Sequence, residues 1–331
     1  MQRLELLKQW LHNTLNQHDL LLEPASSDAS FRQYFRVTSL NKSYIVMDAP
    51  PSQEDVGPFI KITHLFQQVG INVPQLYAED VENGFLLLGD LGLQDYLSTL
   101  NGESAEKLYG DAISALLTLQ VRCSNDEPLP TYDGDMLHKE MALFSEWYLG
   151  RHLGFELTCG EQAVLQQGFS LLGANALAQP QVCVHRDYHS RNLMVCAENN
   201  PGVLDYQDAV MGPISYDLVS LLKDCYIDWP EAQRYHWVNQ YYQQAFSASL
   251  LECDESQFIE WFDLMGMQRH LKAVGIFARL NYRDGKSAYL NDIPRTLNYL
   301  SEMAEKYPRF ADMAKFFKPQ PSRDHIADVM N

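Results

Sequence analysis

The 331-residue sequence lacks the features that mark several common protein classes. Its six cysteines form no C-x-x-C pair and no Cys/His cluster with zinc-site spacing, so neither a zinc module nor a redox motif is predicted. No apolar run approaches the roughly 20 residues that a membrane-spanning helix needs. The first residues, "MQRLELLKQWLHNTL", lack the uninterrupted apolar core of a signal peptide. We therefore expect a cytoplasmic protein with reduced thiols and no membrane partner.

Basic residues are scarce. Lys and Arg number 25 against 43 Asp and Glu, which gives a formal net charge of −18. A nucleic-acid-binding protein normally presents a basic face, so we expect no nucleic-acid partner. The balance is compatible with a cationic small-molecule substrate, although most of this charge is expected on the solvated surface. Hydrophobic residues make up 46% of the chain, which is enough for a large core, and we expect a monomer or a weak dimer.

The first 90 residues predict a small β-rich lobe. A helix with a leucine stripe covers residues 1–18, and two segments rich in aromatic and β-branched residues flank Asn41-Lys42 as a β-hairpin. A helical pattern follows and is closed by Gly70. The segments "PQLYAED" and "GFLLLGD" then predict two more strands. Residues 1–90 are thus expected to form an N-terminal nucleotide-binding lobe with a small antiparallel sheet.

Residues 91–331 predict a large helical lobe that contains one polar, hairpin-bearing segment at 183–217. In that segment "CVHRDYHSRNLM" is followed by "GVLDYQD", and the two are joined by the turn "NNPG". The whole pattern indicates an α+β protein with a small β-rich part and a large helical part.

Three oxygen-bearing side chains are expected to converge at this segment. Asn192 opens one strand and Asp205 closes its partner, so the hairpin places them side by side, near the loop that holds Asp187. Phosphoryl transfer needs such a set, because a carboxylate accepts the acceptor's proton while a carboxylate and an amide oxygen hold Mg²⁺. The alternative is an ordinary polar turn.

The sequence resembles the aminoglycoside phosphotransferase and choline kinase branch of the bilobal protein-kinase-like fold. The resemblance rests on "VHRDYHSRNLMV" followed by "GVLDYQDAVMGPISYDLVSLL", which has H-x-D-x-x-x-x-N, a following Asp and a further Asp that opens a helix. It implies ATP and Mg²⁺ as cofactors, Asp187 as catalytic base, and Asn192 and Asp205 as metal ligands. It also implies that His185 braces the catalytic loop. Asp217 is either a structural support that ties the loop to the next helix or a plain helix cap.

The resemblance is looser in the nucleotide-binding lobe. The segment "PASSDASFRQYFRV", where protein kinases have a glycine-rich loop, contains no glycine. Met47 stands where the family places a phosphate-binding Lys, and Lys42 cannot simply replace it. Phosphate binding would then fall to arginines on the following strand, and Leu86 and Leu88 would flank the base. The nucleotide-binding residues that we predict are Ser30, Arg32, Arg36, Leu88 and Asp90.

The acceptor is suggested by a narrower resemblance. "SSDASFRQYFRV", "YIVMDAPP" and "QRHLKAVGIFARLNYRDGKSAYLNDIPR" are similar to anomeric sugar kinases of bacterial cell-wall (peptidoglycan) recycling, which phosphorylate the C1 hydroxyl of N-acetylmuramate or N-acetylglucosamine. On a helix at 136–152 we expect one face to carry Glu140, Phe144, Trp147 and Arg151 toward the sugar. The substrate-binding residues that we predict are Glu140, Trp147, Arg151 and Gln268, with Arg269 and Arg279 as further candidates.

Two alternatives stay open at this point. One is a kinase for an aminoglycoside, choline or a similar cationic alcohol, whose pocket would need several carboxylates, for which the chain offers Glu140, Glu146, Glu156 and Asp284. The other is a nucleotide-binding pseudokinase, because the usual phosphate-binding Lys is missing.

Overall fold

The structure is a computed structural model that describes residues 2–17, 20–27, 31–123 and 129–318. The chain divides into two compact units. Unit 1 comprises residues 1–119 and 191–208, and unit 2 comprises residues 120–190 and 209–331. The lobe boundary at residue 90 stays a prediction. Among the described helices, none is both long enough and apolar enough to cross a membrane.

Unit 1 is built on a five-stranded antiparallel sheet with the strand order β1-β2-β3-β5-β4. Three short or medium helices and one small hairpin complete the unit, together with the first part of α4. Their bounds are α1 Gln2–Leu15, β1 Leu22–Ser27, β2 Gln33–Ser39, β3 Lys42–Asp48, α2 Gly57–Gln68, β4 Leu76–Asp80, β5 Phe85–Gly89, α3 Tyr96–Thr99, α4 Ala105–Arg122, β7 Leu193–Met194 and β8 Gly202–Val203.

The predicted β2–β3 hairpin is confirmed, but its two-residue turn is Leu40-Asn41 and not Asn41-Lys42, because Lys42 already belongs to β3. Ser39 pairs with Lys42, and the turn residues Leu40 and Asn41 have φ values of 49° and 63°. Left-handed backbone at both positions matches the twist of the flanking strands. Strand β1 was not predicted, because its sequence "LEPASS" contains a proline and turn-forming residues, and its pairing with β2 carries a register shift after Pro24.

The core of unit 1 lies between α1 and one face of the sheet, where Leu7 and Leu11 pack with Val37, Val46 and Phe85. The predicted N-terminal helix is thereby confirmed. The β7–β8 hairpin is attached by backbone hydrogen bonds, which Val195 donates to Gln94 and Val203 donates to Asn72. This attachment fixes the ends of the hairpin, where Asn192 and Asp205 stand.

Unit 2 is mainly helical and contains one two-stranded sheet, in which β6 and β9 are antiparallel. A π-helix and two 3-10 helices join the α-helices. Their bounds are α5 Gly134–Leu143, π-helix Phe144–His152, α6 Cys159–Leu177, β6 Gln181–Val184, β9 Val210–Pro213, α7 Tyr216–Leu222, α8 Glu231–Ser247, α9 Glu255–Asp284, 3-10 helix Ser287–Asp292, α10 Ile293–Lys306 and 3-10 helix Pro308–Phe316.

Helix α9 approaches the end of α5 closely because residue 275 is glycine. A Cβ atom built on Gly275 would lie 2.4 Å from the carbonyl carbon of Leu143 and 2.6 Å from its oxygen. Such distances leave no room for a side chain. The close approach brings Lys272, one turn before Gly275, against Glu140 of α5.

The expectation of one α-helical face over residues 136–152 is wrong. The α-helix ends at Leu143, and the wider π-helix changes which side chains share a face. Phe144 is buried as expected, whereas Trp147 is only partly buried and Arg151 is exposed. Glu140, Trp147 and Arg151 are therefore not presented together.

Candidate active site

A cavity of about 400 Å³ opens in unit 1 beside the sheet and the β7–β8 hairpin. Its lining combines apolar residues, such as Phe59 and Leu204, with polar ones, such as Asp95. A cavity lined by both apolar and polar groups suits a base and its phosphates. Five predicted site residues line the cavity, namely Arg36, Leu88, Asp90, Asn192 and Asp205.

The hairpin brings Asn192 and Asp205 together, as predicted. The Asn192 side-chain amide lies 3.4 Å from Asp205 Oδ2, and Gln207 donates a hydrogen bond of 2.8 Å to Asp205 Oδ1. Asp205 has a left-handed φ of 61°, an unusual backbone conformation that occurs often at functional sites. One carboxylate and one amide oxygen on a polar cavity wall fit Mg²⁺, which takes few protein ligands and keeps several waters.

The two predicted phosphate-binding arginines already have carboxylate partners. Arg36 donates two hydrogen bonds to Asp90, of 2.6 and 3.0 Å, and Asp90 also accepts from Ser43. Burial opposes ionisation of Asp90, but the bonds from Arg36 and Ser43 lower its pKa. Arg32 pairs with Glu54 at 3.2 Å. Arg36 and Asp90 thus form an ion pair at the cavity wall, in which each side chain binds the other.

Among the described residues that line the cavity there is no lysine, and Met47 does not line it either. Met47 is fully buried, with Tyr34 and Leu86 as its strand neighbours. Lys42 donates a hydrogen bond to Tyr77 instead. Leu86 is also buried and does not line the cavity, whereas Leu88 does. The predicted ligand Ser30 lies outside the described residues.

In unit 2, the loop after β6 is held at both ends by buried carboxylates. Asp217 accepts hydrogen bonds from the backbone N–H groups of His185 and Arg186, at 2.6 and 3.0 Å. Asp224 accepts from the backbone and hydroxyl of Ser190. Asp217 therefore braces the loop and does not cap α7, whose N-cap Ser215 makes no side-chain cap bond.

The loop backbone is strained where Asp187 is presented. Arg186 has a left-handed φ of 79°, and the buried His185 ring accepts a hydrogen bond of 3.2 Å from the N–H of Asp187 through Nδ1. The Asp187 side chain keeps 40% of its surface exposed. A carboxylate that is fixed by its backbone but open to solvent suits a general base.

The surroundings of Asp187 are cationic. Arg269 lies 3.8 Å from its carboxylate. Burial favours the neutral acid, yet the charges of Lys272, His189 and Arg269 outweigh it and lower the pKa of Asp187 to about 2. Asp187 is therefore ionised at neutral pH and ready to accept a proton.

Glu140 and Gln268 belong to a buried network next to this loop. Glu140 contacts Arg186 at 2.5 Å and Lys272 at 3.2 Å, and it accepts a hydrogen bond from Tyr132. Gln268 donates to the same Tyr132 hydroxyl at 3.0 Å. Burial opposes ionisation of Glu140, but Lys272 and Arg186 lower its pKa. Both carboxylate oxygens of Glu140 are thus occupied by protein groups.

The sequence interpretation missed several residues of these sites, and three of them illustrate why. Arg191 lines the unit 1 cavity, and its position directly before Asn192 was the available signal. Tyr132 and Lys272 complete the Glu140 network, and no local motif marks either of them. Their importance arises from the packing of α9 against α5.

The comparisons with known proteins agree on one family. A family model described as "Phosphotransferase enzyme family" matches residues 21–252. A Pseudomonas putida protein named N-acetylmuramate/N-acetylglucosamine kinase is 47% identical over 95% of both chains. A Neisseria meningitidis protein of the same name is 45% identical over 95% of this chain and 94% of its own.

Solved structures show the same fold at low sequence identity. The choline kinase of Streptococcus pneumoniae has a TM-score of 0.65 and 13% identity, and the match covers 91% of this chain and all of that one. An ADP-bound aminoglycoside phosphotransferase has a TM-score of 0.60 and 14% identity, over 90% of this chain and 98% of its own. These likenesses confirm the predicted protein-kinase-like α+β fold. The chain belongs to the phosphotransferase enzyme family.

Proposed function

We propose that this enzyme transfers the γ-phosphate of ATP to the anomeric C1 hydroxyl of N-acetylmuramate and N-acetylglucosamine. The observation that carries the proposal is the charge set around Asp187, in a chain whose relatives bear the names of these two sugars. In bacterial cells such a reaction would serve the recycling of peptidoglycan sugars.

Asp187 is the proposed base. Its ionised carboxylate takes the proton of the C1 hydroxyl as the oxygen attacks the γ-phosphorus, and a hemiacetal hydroxyl releases this proton more readily than an ordinary alcohol does. Asp217 and the ring of His185 hold the loop backbone, so the carboxylate needs little reorganisation during the step.

The proposed donor site is the unit 1 cavity. Leu88 and the other apolar lining residues would receive the base of ATP. Arg32 would act on the phosphates. Burial lowers the pKa of its guanidinium, but Tyr34, Glu54 and, to a smaller extent, Asp205 raise it above the ordinary value, so Arg32 stays cationic. Asn192 and Asp205 would hold Mg²⁺, which supplies charge neutralisation on the phosphates when bound. Because Asn192 and Asp205 would supply few ligands, the other coordination positions of Mg²⁺ would be free for phosphate oxygens and water.

A cationic acceptor fits unit 2 poorly. Of the four carboxylates that such a pocket would draw on, Glu140 is taken up by Arg186 and Lys272, and Asp284 pairs with Arg283. Glu146 and Glu156 are exposed. The groups nearest Asp187 are instead cations, which repel an ammonium group.

An acceptor panel tests this proposal. Purified enzyme with MgATP should consume ATP with N-acetylmuramate and with N-acetylglucosamine, and not with choline or kanamycin. Methyl N-acetylglucosaminide is the matched control, because it lacks only the free C1 hydroxyl and should not react. Turnover with choline or kanamycin would contradict the proposed acceptor, and ATP binding without any turnover would favour the pseudokinase.

A further inference from the structure

Arg269 is a buried cation without a hydrogen bond among the described residues. The residue is 7% exposed, and its Nε has no partner. Its nearest carboxylate oxygen, on Asp187, is 3.8 Å from the guanidinium, which is too far for a hydrogen bond. The guanidinium also lies 5.6 Å from the ring centre of Tyr216. An arginine offers five N–H donors, so leaving them unused in a buried position is costly.

Two other cations beside this loop, Arg186 and Lys272, already have carboxylate partners. Arg186 forms a hydrogen bond with Glu140. Lys272 lies 3.2 Å from Glu140 and donates a hydrogen bond of 3.0 Å to the hydroxyl of Tyr216. Arg269 differs from both, because no described protein group forms a hydrogen bond with its guanidinium, so its donors remain available to a ligand. Its donors face the carboxylate that we propose as the base, where a substrate oxygen must stand.

We infer that Arg269 binds the phosphoryl group while it is transferred to the acceptor oxygen, and then binds the phosphate of the sugar 1-phosphate product. This inference rests on the proposed function. It also assigns a cation to the phosphoryl group in a chain where Met47 stands at the position of the family's usual Lys.

The position of Arg269 favours the phosphoryl group over the lactyl carboxylate of N-acetylmuramate. A base must lie within about 3 Å of the hydroxyl oxygen that it deprotonates. A cation 3.8 Å from the Asp187 carboxylate is therefore close to O1, to which the phosphorus becomes bonded. The lactyl group is attached at C3, two ring carbons away from C1.

The charge balance of the step supports the same assignment. The O1–H proton moves to Asp187, the O1–P bond forms, and the bond between the γ-phosphorus and the bridging oxygen breaks, with the electron pair leaving on ADP. Asp187 thereby loses its negative charge as the new phosphate appears on O1. Arg269 exchanges a weakened carboxylate neighbour for a phosphate, with which its planar fork makes bidentate hydrogen bonds.

Binding of product and substrate to the intact enzyme tests this role without turnover. We would measure the dissociation constants of N-acetylglucosamine 1-phosphate, N-acetylglucosamine and N-acetylmuramate by calorimetry. Arg269→Gln should weaken the 1-phosphate by at least about tenfold, the cost of losing hydrogen bonds to a charged group. Both unphosphorylated sugars should change by less than about twofold. Arg283→Gln is the matched control, because it removes from the same helix an exposed cation that pairs with its neighbour Asp284.

Three results would overturn the inference. They are an unchanged affinity of Arg269→Gln for the 1-phosphate, an equal loss for all three ligands, and a loss for N-acetylmuramate alone. If Arg269→Gln does not fold, Arg269→Met gives the same comparison, since an apolar side chain suits the buried position. Wild-type enzyme that binds none of the three ligands would instead contradict the proposed function.

Discussion

Lys272 of α9 lies 3.2 Å from Glu140 of α5, and this ion pair links the two helices beside the loop that holds Asp187. Glu140 also pairs with Arg186, the residue directly before Asp187. Glu140 was predicted as a sugar ligand, but its oxygens are engaged by protein groups. Its main role in the structure is to neutralise two cations and to hold the loop residue Arg186.

Glu140→Gln should therefore destabilise the protein by about 3–5 kcal/mol, because it leaves the buried cations Arg186 and Lys272 without their carboxylate. Glu146→Gln removes a carboxylate from the adjoining π-helix at an exposed position, and it should change stability by less than about 0.5 kcal/mol. Urea denaturation of both variants measures the difference. Equal midpoints for Glu140→Gln and wild type would show that the network contributes no net stability.

Asp187→Asn should keep the fold and lower kcat by roughly 10²–10⁴, because the amide cannot accept the acceptor's proton. The affinity for N-acetylglucosamine should change little, since the loop is held by Asp217 and not by the Asp187 side chain. Steady-state kinetics and calorimetry separate the two effects. A variant with the full wild-type rate would mean that another group is the base.

Asp187 should also remain ionised through the physiological pH range. Desolvation raises the pKa of Asp187, but the positive charges of Lys272, His189 and Arg269 have the larger effect and lower it to about 2. Because this value lies below the ordinary 3.8, the ionisation stabilises the fold above about pH 4, and that contribution is lost as the pH falls toward 2. Carboxyl ¹³C NMR, assigned by comparison with Asp187→Asn, should show no titration between pH 7 and pH 4. A midpoint above pH 5 would contradict the cationic surroundings.

Asp205→Ala should abolish the Mg²⁺ dependence of nucleotide binding, since it removes the carboxylate of the proposed metal pair. ADP binding should then be the same with and without Mg²⁺ in calorimetric titrations, whereas wild type binds more tightly with the metal. Glu198→Gln is the control, because it removes an exposed carboxylate from the same hairpin. An unchanged metal dependence in Asp205→Ala would reject Asp205 as a ligand.

Gly275→Ala should destabilise the protein by about 2 kcal/mol or more, because the new methyl group would overlap the backbone of Leu143. Gly173 offers a matched test within α6, where an added Cβ meets no atom within 4 Å. Gly173→Ala should stabilise by about 0.5–1 kcal/mol through helix propensity. Thermal unfolding of the two variants should show shifts of opposite sign. A Gly275→Ala protein as stable as wild type would mean that the helices can separate at no cost.

Local patterns predicted much of the fold. Spacing and turn chemistry were sufficient to predict three features that depend on neighbours in sequence. These are the β2–β3 hairpin, the leucine stripe of the N-terminal helix and the proximity of Asn192 and Asp205. Strand β1 was missed, because Pro24 and the following serines are typical of a turn and only pairing with β2 makes them a strand.

The long-range part of the site was not predictable in the same way. Arg36 and Asp90 are 54 residues apart, and no periodicity indicates that they bind each other. The π-helix turns Arg151 away from the Glu140 face, and a helical pattern in the sequence does not reveal that change of period. Gly275 permits the close packing of α9 against the end of α5, and Lys272 contacts Glu140 one turn away.

The most direct test of the account is the position of the transferred phosphate. The enzyme would be incubated with MgATP and N-acetylglucosamine, and the product examined by ¹H–³¹P correlation NMR. The account predicts one sugar phosphate whose phosphorus couples to the anomeric proton. A phosphorus coupled to the C6 protons, or to any other ring proton, would contradict the assignment of Asp187 to the C1 hydroxyl.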